Sequence, residues 1–138
     1  MPLLQDLELS GGALLGFARA NIAVDHAFKM IDDGAHIIDI GGESTRPGSI
    51  SISDDEESKR ILPVIESIKK INSKIAISVD TYKAKVAKKA IEAGADIVND
   101  ISGLTFDPDM LPLLSAHDIP VIIMHINGKP KTMQKKSY

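Results

Sequence analysis

A helix-stop-strand phrase occurs twice in this chain. Ile31-x-x-Gly34-Ala35-x-Ile37-Ile38-Asp39 returns sixty residues later as Ile91-x-x-Gly94-Ala95-x-Ile97-Val98-Asn99. In each copy a glycine supplies a left-handed helix stop, and the aliphatic run behind it reads as a strand. Reuse of one device is expected where successive βα units solve one packing problem. The rest of the chain keeps the alternation. Residues 22–33 read as a helix with Ile22, Ala23, Ala27, Met30 and Ile31 on one face, followed by a strand over 36–40. Ser53 with Glu56 is a capping-box signature opening a helix to about residue 71, with Ile61, Leu62, Ile65 and Ile68 as its buried stripe. Pro63 is expected to kink or divide that helix. Residues 75–79 and 96–98 read as strands flanking a helix over 82–93. Asp107-Pro108 is expected to cap the next helix, with proline at its first position, before a strand over 120–124. Residues 13–18 are expected to form an edge or first strand. The class is α/β, with a parallel sheet covered on at least one face.

Composition narrows the function classes. The 138 residues suit one domain with a real core, and the net charge of −3 offers no electrostatic draw for nucleic acid or an anionic membrane. No cysteine is present, which excludes disulfides and thiolate metal sites. Aromatic residues are only 4% of the chain, too few for a base-stacking platform. No apolar run reaches the roughly 18 residues that span a bilayer. Asp6 and Glu8 stand where a secretory signal would carry lysines, so a cytoplasmic protein is expected.

In parallel α/β architecture, the ends of the strands and the loops after them form the binding face. The residues there are chemically coherent. Asp39 precedes the run Gly41-Gly42-Glu43-Ser44-Thr45-Arg46-Pro47-Gly48; Asp80 and Thr81 end the next strand, Asn99 and Asp100 the third, and His125 the fourth. Taken singly, Asp80 is an ordinary helix cap, Asn99-Asp100 an ordinary turn, and His125 a hydrogen-bonded turn residue. Together they match a flat heterocycle bearing amino and amide N–H groups, with Asp80 as acceptor, Asn99 as donor and acceptor, and Arg46 holding an anion at the mouth. Lysines 69, 70, 74, 83, 85, 88 and 89 fall on helix faces and read as solvated charge. No G-x-x-x-x-G-K-[ST] phosphate loop and no His-Glu metal motif is present.

These residues resemble the dihydropteroate synthase family of pterin-binding enzymes. The resemblance rests on four motifs in order: Asp39 through Gly48, Ile77-Ser78-Val79-Asp80-Thr81, Val98-Asn99-Asp100-Ile101, and Met124-His125 with Gly128-Lys129-Pro130-Lys131-Thr132-Met133-Gln134. It covers about residues 22–135. It implies a (β/α)8 barrel that joins 6-hydroxymethyl-7,8-dihydropterin diphosphate to p-aminobenzoate, releasing diphosphate, in folate biosynthesis. It further implies that Thr45, Asp80 and Asn99 bind the pterin, that Arg46 and Pro47 shape the p-aminobenzoate pocket, and that Asp39, Met124 and His125 lie near it. Magnesium at the diphosphate and a homodimer of the full-length enzyme also come with the resemblance. It assigns no catalytic residue within these positions.

Two departures qualify what the family implies. Its first-strand motif, Asn-Val-Thr-Pro-Asp-Ser-Phe-Ser-Asp-Gly-Gly, is absent, so the metal-associated asparagine has no counterpart and residues 1–20 are an atypical lead; Asn21 is not given that role. The later Asp-Pro-Gly-x-Gly-Phe-Gly-Lys, Ser-Arg-Lys and terminal arginine-histidine motifs are also missing. The expectation is therefore one incomplete domain over residues 1–138. It would be a partial barrel of about four parallel strands, a truncated form with little activity alone. The competing expectations are a non-catalytic pterin-binding module, a methyltetrahydrofolate-binding methyltransferase-type domain, and an open flavodoxin-like domain.

Overall fold

Five parallel strands lie side by side in chain order, β1-β2-β3-β4-β5, with a helix in each crossover. The computed structural model describes residues 4–8, 16–43 and 51–123. The strands are β1 (Leu4–Glu8), β2 (Ile37–Gly41), β3 (Ala76–Asp80), β4 (Ile97–Asn99) and β5 (Val121–Ile122). The helices are α1 (Gly16–Asp32), α2 (Asp54–Ile71), α3 (Ala84–Ala93) and α4 (Met110–His117). Right-handed crossovers that always advance to the next strand keep every helix on one side of the sheet, and α1 packs on α2, α2 on α3 and α3 on α4. This is the singly wound order of a (β/α)8 barrel. It overturns the flavodoxin-like alternative, whose sheet reverses direction and carries helices on both faces.

The register divides the sheet by chemistry. Ile40, Val79 and Val98 are aligned across β2, β3 and β4, and Ile38 is aligned with Ile77. All five are fully buried, in one core with Ala27, Ile61, Ile65, Ile68, Val86, Ala87 and Ala90 of the helices. Because side chains alternate along a strand, Asp39, Ser78, Asp80 and Asn99 point to the opposite face. Ile37 shares that face and is only half-buried, so it does not take the fully covered position its aliphatic neighbours suggest.

Several local expectations are corrected. The first strand is Leu4–Glu8, not 13–18: residues 16–18 belong to α1, and residues 13–15 lie outside the described residues. Two acids and a glutamine in β1 hide it from a propensity reading; pairing with β2 holds it. With it the described strands number five rather than about four. In α1 the inward face uses Val24 in place of Ile22, which is exposed. Helix α2 runs unbroken through Pro63. Pro63 and Lys59 are both on its exposed side, where losing the hydrogen bond from proline's missing N–H costs less than it would in the core.

The helix stops behave as expected and then exceed the expectation. Gly34 and Gly94 have φ of 107° and 122°. In both, the residue after the glycine donates to the carbonyl five residues back: Ala35 to Met30 at 2.9 Å and Ala95 to Ala90 at 2.9 Å. Helix α4 ends the same way, Ile119 donating to Leu114 at 3.0 Å, but with Asp118 in the left-handed position at φ 54°. Helix α4 begins at Met110, with Asp109 rather than Asp107 at its N-cap position; Asp107 leads into it, its Oδ1 accepting the Asp109 N–H at 2.9 Å and its carbonyl the Met110 N–H at 3.1 Å. Its Oδ2 also accepts the Ala84 N–H at 2.7 Å and so caps α3 from another segment.

Candidate functional site

Gly41, Asp80 and Asn99 stand opposite one another at the carboxyl ends of β2, β3 and β4. One side-chain layer below them on the same face lie Asp39 and Ser78, also aligned. The Asp39 carboxylate spans three strands: Ser78 Oγ donates to its Oδ1 in a short hydrogen bond, and Asn99 Nδ2 donates to its Oδ2 at 3.4 Å. Asp39 is 2% exposed and Asn99 4%. Asn99 thereby has its amide nitrogen turned down into the sheet, and its Oδ1 is buried without a hydrogen-bond partner. A buried acceptor without a partner is uncommon in a folded protein; Ser58 Oγ and Asp100 Oδ2 are in the same state, and of the three only Asn99 stands aligned with Asp80 at a strand end.

Asp80 is half-buried beside Gly41. A Cβ at position 41 would lie 3.1 Å from Asp80 Cβ and 3.4 Å from its Oδ2. That glycine makes room for the carboxylate. Gly42 serves differently: a Cβ there would meet the Glu57 carbonyl at 3.0 Å and Ile61 Cγ2 at 3.1 Å, so it lets α2 close on the strand end. Arg60 of α2 then donates to the Gly42 carbonyl at 2.8 Å. The N-cap position of α3 falls to Lys83 rather than to Asp80. Asp100 is fully buried; its Oδ1 accepts the Ser102 N–H at 2.8 Å and hydroxyl at 2.7 Å.

A charged cluster flanks the strand ends, and sequence reasoning missed its key member. Lys83, read as solvated, has a side chain only 12% exposed and pairs with Glu57 at 3.0 Å and Glu43 at 3.4 Å. It also donates to the Ile52 carbonyl at 2.7 Å. Glu43 in turn accepts the Tyr82 hydroxyl at 2.7 Å and the Ile52 N–H at 3.0 Å. Burial depresses the Lys83 ammonium, but the hydrogen bond to Glu57 and the charges of Glu57 and Glu43 outweigh it, and the pKa ends above the ordinary lysine value. Burial raises Glu57, only partly offset by Lys83 and Thr81. Tyr82 is raised by burial and by Glu43. The Tyr82 ring meets Phe106 edge-on at 4.4 Å. A lysine directly before a helix, three residues after a strand-ending aspartate, resembles any other helix lysine in sequence. Lys69 was likewise misread: it donates to the Ile75 carbonyl and to Asp96, both at 2.7 Å.

Asp39, Asp80 and Asn99, and with them Ser78, are thus brought together on one face. Thr45, Arg46, Pro47, Met124 and His125 lie outside the described residues. Among the described residues no three histidine, aspartate or glutamate side chains gather as a metal site.

The pattern of the pterin binding enzyme family matches residues 13–138. The chain belongs to that family. It is similar in sequence to dihydropteroate synthases. It is 51% identical over 112 residues to the one from Synechocystis, covering 81% of this chain and 38% of that protein. It is 57% identical over 103 residues to the one from Bacillus subtilis, covering 75% and 36%. The fold superposes with a TM-score of 0.86 on a dihydropteroate synthase from Clostridium difficile, solved in the presence of pteroic acid. That match has 35% identity and covers 99% of this chain and 58% of the other. The chain spans little more than a third of the two sequence relatives.

Proposed function

We propose that this pterin-binding chain supplies the pterin subsite of dihydropteroate synthesis. In that reaction p-aminobenzoate condenses with 6-hydroxymethyl-7,8-dihydropterin diphosphate to give 7,8-dihydropteroate and diphosphate. One observation carries the reading: Asp80 and Asn99 sit opposite each other at adjacent strand ends, on the face away from the described helices, with an unpartnered acceptor on Asn99. A carboxylate and a carboxamide oxygen there suit a ring edge made of amino and amide N–H donors. The Clostridium difficile relative was solved with pteroic acid, which joins the two halves that this reaction condenses.

The chemistry follows from placing a carboxylate against the ring. As the C–O bond to diphosphate breaks, positive charge builds on the pterin methylene and spreads into the ring. The fixed negative charge of Asp80 stabilises that cation more than it stabilises the neutral ground state. The arylamine nitrogen then attacks the methylene and loses a proton. Thr45 would complete the pterin contacts, and Arg46 and Pro47 would border the p-aminobenzoate. Magnesium at the leaving diphosphate finds no matching donor set among the described residues. A homodimer belongs to the proposal for the complete enzyme, as does a cytoplasmic location; no helix of the described residues is long and apolar enough to cross a membrane.

Titration calorimetry with 6-hydroxymethylpterin tests the binding half of the reading. Saturable binding that Asp80→Asn weakens supports it; no binding, or binding indifferent to that change, overturns it. The motifs for the leaving diphosphate are not in these 138 residues. We therefore expect binding without sustained diphosphate release when p-aminobenzoate and the pterin diphosphate are supplied together.

A further inference from the structure

A carboxamide is ambiguous by nature: its oxygen and its NH2 are nearly the same size, and either end can face a ligand. Something must decide which end Asn99 presents. Asp39 is placed to do so. The group that Asn99 turns toward Asp39 Oδ2 is its NH2, which donates there at 3.4 Å and leaves the carbonyl end facing away. The other Asp39 oxygen accepts from Ser78 Oγ, and this second strand stops the carboxylate from swinging away. Both Asp39 and Ser78 are almost fully buried, so water does not compete for these bonds. The result is a carbonyl oxygen at Asn99 that is buried and takes no bond from the protein.

We propose that Asp39 is a positioning residue that fixes the Asn99 carboxamide with its oxygen toward the ligand, and so sets the site's preference for a ring that donates N–H there. The inference rests on the pterin reading for the identity of the ligand, but not for the orientation itself. It assigns Asp39 no contact with the pterin. Register explains why this residue can act: Asp39 stands one layer below Asn99 on the next strand but one, so a diagonal bond across β3 joins them.

The experiment exchanges the two polar groups. In Asp39→Asn the new amide can donate to Asn99 Oδ1, allowing Asn99 to turn over and show its NH2 to the ligand. Loss of the acceptor should weaken 6-hydroxymethylpterin binding by about tenfold or more. In the double variant Asp39→Asn with Asn99→Asp, the upper residue is again acceptor-only and receives its bond from below, so affinity should return to within about threefold of the parent. A structural role alone predicts no such rescue, because the double variant carries both disturbances. Orientation is read without ligand from the Asn99 side-chain NH2 resonances. Their proton exchange should be slow in the parent chain and at least tenfold faster in Asp39→Leu. Unchanged exchange in Asp39→Leu overturns the inference, as does a double variant that binds no better than Asp39→Asn. Failure of the parent chain to bind 6-hydroxymethylpterin instead overturns the proposed function, and the exchange rates still decide the role of Asp39.

Discussion

Replacing Lys83 by methionine keeps the length of the side chain and deletes its charge, leaving Glu43 and Glu57 beside one another with no cation between them. At 3.0 and 3.4 Å each pair has a Coulomb energy of about 5 kcal/mol at an effective dielectric of about 20. Desolvation of the three groups offsets much of this, and removal of one partner from a buried pair costs about 3–5 kcal/mol in practice. The side chains are 12%, 9% and 1% exposed for Lys83, Glu43 and Glu57, so solvent does little to soften the loss. Urea denaturation at pH 7 should place Lys83→Met about 3 kcal/mol below the parent. Lys85→Met, on the exposed side of α3, should stay within about 0.5 kcal/mol. The pH dependence gives the mechanism. Glu57 already holds its proton more tightly folded than unfolded, and loss of the ammonium raises it further. Acidification through the glutamate range therefore neutralises the stranded carboxylate in the variant, and the deficit should shrink by about 1 kcal/mol or more between pH 7 and pH 5. In the parent, the raised Lys83 value means its contribution is full at neutral pH and disappears only as pH climbs past the ordinary lysine range. A deficit below about 1 kcal/mol that does not vary with pH would refute the reasoning.

Gly41→Ala should force Asp80 aside, because the added Cβ would lie 3.1 Å from Asp80 Cβ. The expected cost is about 1–3 kcal/mol in a denaturant melt, with weakening of pterin binding by calorimetry greater than that of Lys85→Met. Asp118→Gly removes the left-handed penalty of about 1–2 kcal/mol and adds back about 0.5–1 kcal/mol of chain entropy, so a gain of about 0.5–1 kcal/mol should appear as a higher melting temperature. Asp107→Ala should cost about 1 kcal/mol by leaving the Ala84 N–H uncapped, and hydrogen exchange should quicken first in the opening turn of α3.

The alternation of helix and strand was legible because glycine stops and aliphatic runs are local signals. Gly34 and Gly94 announce helix ends by themselves, whereas Asp118 performs the same turn without a glycine and gives no such sign. Strand β1 was illegible for a related reason: it is held by pairing with β2, and its own five residues argue weakly for extension. Sequence position put Asp39, Asp80 and Asn99 at strand ends, but only the register shows that Asp80 and Asn99 share a layer while Asp39 supports them from beneath. Ser78 gives no sign of its role, since nothing in a hydroxyl between two aliphatic residues points to a carboxylate 39 residues earlier on the neighbouring strand. Lys83 and Lys69 were misjudged because charge alone does not reveal that a long side chain turns inward to meet Glu57 or Asp96.

The division of the sheet into two faces gives the strands a parity rule. Ile38, Ile40, Ile77 and Val79 hold the fold together, while Asp39, Ser78 and Asp80 at alternate positions carry the polar lining. A mutational library scored once for yield of folded protein and once for ligand capture should sort these seven residues into two interleaved sets. One chain could then be retuned for robustness at Ile38, Ile40, Ile77 and Val79 while its chemical selectivity, written into the intervening residues, is left alone.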